Sequence, residues 1–156
     1  MKKAIIFTDG ACVGNGKSFS RGGIGVFFGK GDKRNFSGKL KGTPQTNNRA
    51  ELSAVIKALT LLKQDEKDVT IYTDSKYVCK SVNDYMKKWV ETDWKLSTGK
   101  PVKNKDLFIE FNDLMLLNKI EGKDIKIRWI KGHAGLFGNE KADELAREGT
   151  KKHFKK

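Results

Sequence analysis

The sequence predicts an α/β fold on a mixed sheet, and three observations predict it. Two β-prone apolar runs, residues 4–7 and 69–72, each end in Thr-Asp and then a small residue. Between them Leu52, Val55, Ile56, Leu59 and Leu62 recur at the spacing of one helix face. A helix between two strands is the connection that parallel neighbours require. The links among the first three strand-like runs are short, which favours antiparallel pairing there.

Residues 4–8 are almost continuously apolar, as in a central strand covered on both faces. A Gly-rich loop spans 10–17. Residues 23–28 read as a second strand and 34–38 as a third, joined by the turn at 29–32. Thr46 is placed as the N-cap of the amphipathic helix. Residues 69–73 return to the sheet, parallel to the first strand. One or two helices cover 76–89. Residues 91–103 are Lys-rich, hold Trp94, Gly99 and Pro101, and show no clear period. Residues 107–120 are helical again, with Leu107, Phe111, Leu114 and Leu117 on one face. Apolar and polar residues alternate over 125–130, giving a strand, and 139–147 form a last helix stopped by Gly149. No repeat or linker interrupts the chain. Residues 1–150 are therefore expected to be one catalytic domain, and 151–156 a basic, disordered tail.

The 156 residues carry 32 Lys and Arg against 19 Asp and Glu, a net charge of +13. Solubility alone does not favour one sign so strongly, so a polyanionic partner is expected. Two cysteines, Cys12 and Cys79, are too few for a disulfide scaffold or a Cys zinc site. Reduced thiols point to an intracellular, cytoplasmic protein. The apolar run after Met1-Lys2-Lys3 is too short for a signal peptide, and no run approaches a membrane span.

Against this basic background stand four acids in settings suited to a divalent cation: Asp9, Glu51, Asp74 and Asp143. If residues 4–8 and 69–73 are parallel neighbours, Asp9 and Asp74 leave the same sheet edge, with backbones about 5 Å apart. Glu51 and Asp143 fall in the first turns of their helices and can be aimed at that edge. Singly, such residues are usually turn, cap or dipole residues. Four converging carboxylates repel one another without a cation, which argues for Mg²⁺, or Mn²⁺ as a substitute.

The motifs 7–10 (FTDG), 46–52 (TNNRAEL), 72–75 (YTDS), 131–135 (KGHAG) and 138–146 (GNEKADELA), in that order, resemble type 1 ribonuclease H across nearly the whole chain. The resemblance implies the ribonuclease H-like fold, a five-stranded mixed sheet in order 3-2-1-4-5 flanked by helices, with a basic protrusion. It implies endonucleolytic hydrolysis of the RNA strand of an RNA–DNA hybrid by two metal ions, leaving 5′-phosphate and 3′-hydroxyl ends. Asp9, Glu51, Asp74 and Asp143 become the metal ligands. His133, which alone reads as an idle loop residue, becomes a proton shuttle or an aid to product release. Asn15, Asn47 and Asn48 are placed on the RNA strand, where amides can read a 2′-hydroxyl. Thr46, Tyr77, Tyr85 and Asn104 are placed along the DNA strand. Pro44 stands where some members have an Arg for a DNA phosphate. The protrusion takes in Lys87, Lys88, Trp89, Trp94, Lys95, Lys100 and Lys103, the two tryptophans being equally suited to core under that loop. The expected partner is the hybrid duplex, with no membrane and no obligatory protein partner, and the protein a monomer.

Three rivals compete. Another nuclease of the same superfamily would share strand-end carboxylates but not the full ordered motif set. A non-catalytic hybrid-binding module gains nothing from converging negative charge. An acidic-pair glycosidase has no use for the basic excess.

Overall fold

The computed structural model describes residues 2–154. Its elements run β1 (Lys2–Val13), β2 (Arg21–Phe27), β3 (Phe36–Lys39), α1 (Asn47–Thr60), β4 (Glu66–Thr73), α2 (Lys76–Lys80), a π-helical turn (Ser81–Tyr85), α3 (Met86–Glu91), α4 (Lys105–Ile120), β5 (Asp124–Trp129) and α5 (Phe137–Lys151). The sheet has the order β3-β2-β1-β4-β5. The β1–β2 and β2–β3 pairs are antiparallel, whereas β1–β4 and β4–β5 are parallel. This is the expected α/β mixed sheet.

The main core lies under α1 and α4. Ile6, Val26, Val69, Ile71 and Ile127 from the sheet meet Leu52, Val55, Leu59, Phe108 and Phe111 from the helices. Phe108 and Phe111 are the largest of the fully buried side chains, and emptying such a site costs about 3–5 kcal/mol. The other sheet face carries α5. Gly23 and Gly25 on β2 let that helix lie directly on the strand: a Cβ on Gly23 would stand 2.1 Å from the Ala146 carbonyl oxygen. Gly10 does the same for α1, where a Cβ would stand 2.3 Å from the Glu51 nitrogen.

Several boundaries differ from expectation. The strand β1 does not stop at a loop after residue 8, because Gly10, Ala11, Cys12 and Val13 pair with Ile24, Gly23, Gly22 and Arg21. The third strand begins at Phe36 rather than Arg34. Arg34 instead joins Asp32 at 3.1 Å and the buried Glu66 at 2.8 Å, over the ring of Phe28. Phe108, not Leu107, leads the buried face of α4, and Leu117 is 58% exposed. Gly149 does not stop α5. It lies inside the helix, against the Gly38 carbonyl. The expected disorder of the tail fails for residues 151–154: Lys151 closes α5 and Lys152–Phe154 form a 3₁₀ turn. There Lys152 donates to the Ser37 carbonyl, and the His153 ring lies 2.7 Å from the Gly22 carbonyl. Lys155 and Lys156 lie outside the described residues.

Residues 92–104 form a closed excursion. Trp94 N donates to Trp89 O at 2.7 Å, and Val102 N to Trp94 O at 2.9 Å. Trp89 and Trp94 pack against the main core, with Trp89 5.2 Å from Phe108 ring to ring. They anchor the protrusion rather than project from it.

Candidate active site

Parallel pairing of β1 with β4 aligns Thr8 with Thr73, so the next residues, Asp9 and Asp74, leave the sheet side by side. Thr46 caps α1 through its hydroxyl, which accepts from Arg49 N at 3.2 Å. That fixes the first turn of the helix, and Gly10 lets this turn approach the strand end. Glu51 is thereby delivered to Asp9, and both carboxylates accept from Gly10 N, Glu51 at 2.5 Å and Asp9 at 2.9 Å. One oxygen from each of Asp9, Glu51 and Asp74 lies within 4.8 Å of the others.

Asp9 is the most enclosed of the three, the other two being half-buried. Asp9 is 5% exposed. Burial is the main reason its carboxyl is pushed up to about 8, and the charges of Asp74 and Asp143 add to the effect. Glu51 is raised well above its ordinary value, first by burial and then by the Asp9 charge beside it. Asp143, on α5, thus acts on Asp9 through its field, while its own carboxylate accepts from Arg147 at 3.1 Å. His133 is exposed in the loop between β5 and α5, with φ 56°.

Asp74 is held on several sides. The Trp129 indole N–H donates to its backbone carbonyl at 3.1 Å. Gly132 abuts its carboxylate, where a Cβ would stand 2.6 Å away. Asn139, 3% exposed, donates from Nδ2 to Asp74 Oδ2 at 3.3 Å. Sequence reading passed over Asn139. The available signal was its spacing, since four residues before Asp143 is one helix face.

The other chosen residues fall into three groups. Asn15 Oδ1 accepts from Asn47 N at 3.0 Å, which ties the Gly-rich turn to the exposed Asn47 and Asn48 beside Glu51. Thr46, Tyr77 and Asn104 cluster around Arg49: Asn104 Nδ2 donates to Tyr77 Oη at 3.0 Å, and Arg49 Nη1 donates to Asn104 Oδ1 at 3.3 Å. Arg49 was also missed, because a buried guanidinium cannot be told from a surface one by spacing. Lys87, Lys88, Lys95, Lys100 and Lys103 are exposed on the protrusion. A groove of about 690 Å³ there is lined by Tyr85, Lys88, Trp89 and Lys95. Tyr85 is 51% exposed and tilts over Trp89.

A family model for RNase H matches residues 1–151. A ribonuclease H of Hahella chejuensis is 45% identical over 97% of this chain and 95% of its own. Ribonuclease H1 of Rattus norvegicus is 41% identical over 96% of this chain, but the chain spans about half (51%) of that protein's length. Fission yeast and mouse relatives are covered to a similar extent, 53% and 51%. Among solved structures, that of LC9-RNase H1, described as a type 1 RNase H with the type 2 active-site motif, is 27% identical with a TM-score of 0.71. It is matched over 96% of this chain and 74% of its own. A foamy viral protease-reverse transcriptase in complex with RNA/DNA hybrid is 26% identical with a TM-score of 0.79, over 96% of this chain and 20% of its own.

Proposed function

The chain belongs to the RNase H family, and on that premise we propose that it hydrolyses the RNA strand of RNA–DNA hybrids as a metal-dependent endonuclease. The observation that carries this reading is the convergence of Asp9, Glu51 and Asp74 oxygens within 4.8 Å at one sheet edge. The donor set is all oxygen, as Mg²⁺ prefers, with Mn²⁺ a substitute. Burial also supports the fit. A carboxyl pushed up to about 8 is an acid that its surroundings keep from ionising, and a divalent cation removes that obstacle. Bound there, a pair of such ions would supply charge neutralisation and water activation for in-line attack, leaving 5′-phosphate and 3′-hydroxyl ends.

The chain's own residues do the rest. Asp9, Glu51, Asp74 and, from α5, Asp143 would hold the ions. Asn139 and Gly132 fix the direction of the Asp74 carboxylate. His133 moves a proton at the open side of the site and assists product release. Asn15, Asn47 and Asn48 read the RNA 2′-hydroxyl from the turn beside Glu51. Thr46, Tyr77, Asn104 and Tyr85 follow the DNA strand, and the protrusion lysines grip phosphates. The hybrid-bound relative supports this class of partner. A cytoplasmic monomer is part of the same reading.

Cleavage of matched RNA–DNA hybrid, RNA duplex and DNA duplex, with and without Mg²⁺, tests it. The expected result is cleavage of the hybrid's RNA alone, only with metal, with phosphate on the 5′ end of each downstream fragment. Cutting of all three duplexes would point to another nuclease of the superfamily. Tight hybrid binding with no cutting would point to a non-catalytic module.

A further inference from the structure

We infer that the outer face of β1, β4 and β5, next to the carboxylates, is a second nucleic-acid site: a platform for a single-stranded run of RNA continuous with the strand in the cluster. It rests on the hybrid reading above for the direction from which that strand arrives. The helix α5 packs on β1, β2 and β3. The strands β4 and β5 are a parallel pair, and parallel strands are normally covered on both faces. On the side away from the core, no helix among the described residues packs along them. The register sets out what this face presents. Ile5 stands opposite Thr70 and Thr70 opposite Lys126; in the next row Phe7 stands opposite Tyr72 and Tyr72 opposite Arg128. Asp9 and Asp74 follow two residues further along the same strands, about 6–7 Å away and on the same face. At the duplex rise of about 3.4 Å per nucleotide, a strand seated on the acids reaches the Phe7–Tyr72 row within about two nucleotides.

The floor of the platform is apolar and flat. Phe7 and Tyr72 stack with ring centroids 5.4 Å apart and planes 24° apart, and Ile5 beside them is 57% exposed. The first turn of α5 forms one wall. Gly138 lies against the Phe7 ring, and Phe137, 56% exposed, meets Phe27 edge-on at 5.7 Å with the Lys141 ammonium 5.5 Å over its own ring. The opposite rim is Arg128, which is exposed and has no ion-pair partner among the described residues. Lys126 is already engaged by Asp124 at 2.8 Å and Asp68 at 3.5 Å. Those two acids share the row beyond Ile5 with Lys3 and mark the far end of the platform. Stacked rings with a free guanidinium at the rim suit flat bases on a charged backbone. A duplex hides the faces of its bases, so the occupant is single-stranded.

The test compares a blunt RNA–DNA hybrid with the same hybrid carrying an oligouridine tail on the RNA 3′ end or on the RNA 5′ end. Affinities are measured by fluorescence anisotropy with the full chain and a metal chelator, so that nothing is cut. A tail at one end should raise wild-type affinity about tenfold, the worth of one stacked base. Tyr72→Leu, which keeps apolar packing and removes the ring, should lose most of that gain while blunt-hybrid affinity stays within about twofold of wild type. Arg128→Ala should lose part of it. An abasic tail keeps the phosphates without the bases, so it should show a smaller gain that Arg128→Ala removes and Tyr72→Leu does not. No gain from either tail overturns the inference, and so does a gain that survives both substitutions, which would assign the tail to the protrusion. A concentration-dependent dimer in sedimentation that Tyr72→Leu dissolves would give the face to a second copy and also overturn it. If Tyr72→Leu does not fold, Arg128→Ala, changed on an exposed side chain, decides the outcome with both kinds of tail. Failure of wild type to cut any hybrid with Mg²⁺ would overturn the functional reading instead, and leaves the tail measurement readable by itself.

Discussion

At the scale of single residues, Asp9 is set by two opposed requirements. It must be shielded enough to bind a cation in place of water, and that shielding makes it a poor anion alone. Its carboxyl titrates at about 8 in the folded chain against an ordinary 3.8. Between those values the unfolded chain has released a proton that the folded chain retains. The unfolded state binds fewer protons, so stability falls as pH rises through that window. We expect metal-free Asp9→Asn to melt well above wild type at about pH 8 and level with it at about pH 4. Calorimetry across that range decides it, and equal melting temperatures at the upper end would contradict the clustering. Added Mg²⁺ should raise the wild-type melting temperature most where the pH is highest. Asp74→Asn should abolish cleavage while hybrid affinity stays close to wild type, because Asp74 works with Asp9 and Glu51 as a cation ligand and is held by Asn139. Parallel loss of affinity in an equilibrium titration would place Asp74 on the nucleic acid instead.

At the scale of elements, the approach of α5 to β2 decides whether the site is complete. A Cβ on Gly25 would stand 2.3 Å from the Ala142 carbonyl oxygen, one residue before Asp143. Gly25→Ala must push α5 off the sheet, so it should cost about 1–3 kcal/mol in urea unfolding and lower activity beyond what the unfolded fraction explains. Unchanged activity in the folded fraction would mean the placement of Asp143 tolerates that shift. Elements with a clear period were legible in the sequence: the apolar runs of β1 and β4, the buried face of α1 and its Thr46 cap. So were the acids themselves, since Thr-Asp after a strand is a local pattern. What escaped was set by tertiary contact. Gly10 and Gly149 read as breakers, yet each is glycine because another backbone lies where a Cβ would go. Residues 151–154 read as a frayed tail because nothing local announces that Lys152 and His153 will find carbonyls on β3 and β2. Leu117 read as core because α4 has apolar residues on more than one face. Arg49 and Asn139 are invisible to pattern, since their work depends on partners 55 and 65 residues away.

At the scale of the whole molecule, a net charge of +13 surrounds a pocket of acids. The two must be separable by experiment if the basic surface binds and the acids cut. Replacing Lys87, Lys88, Lys95 and Lys100 with Ala should weaken hybrid binding far more than it slows cleavage at saturation. Each lost phosphate contact should reduce the slope of log affinity against log salt by roughly 0.9, taking the B-DNA value. The affinity gap from wild type should then narrow as salt rises. An unchanged slope with a collapsed saturated rate would assign these lysines to the chemistry or the fold. Chain order adds a consequence for synthesis. Asp9 is made early and Asp74 midway, but Asn139 and Asp143 arrive on α5, the last long element. A nascent chain still threaded through the ribosome has its sheet strands before it has the wall that steadies Asp74. A chain made in this order completes its cluster of acids only once α5 has been added to the sheet.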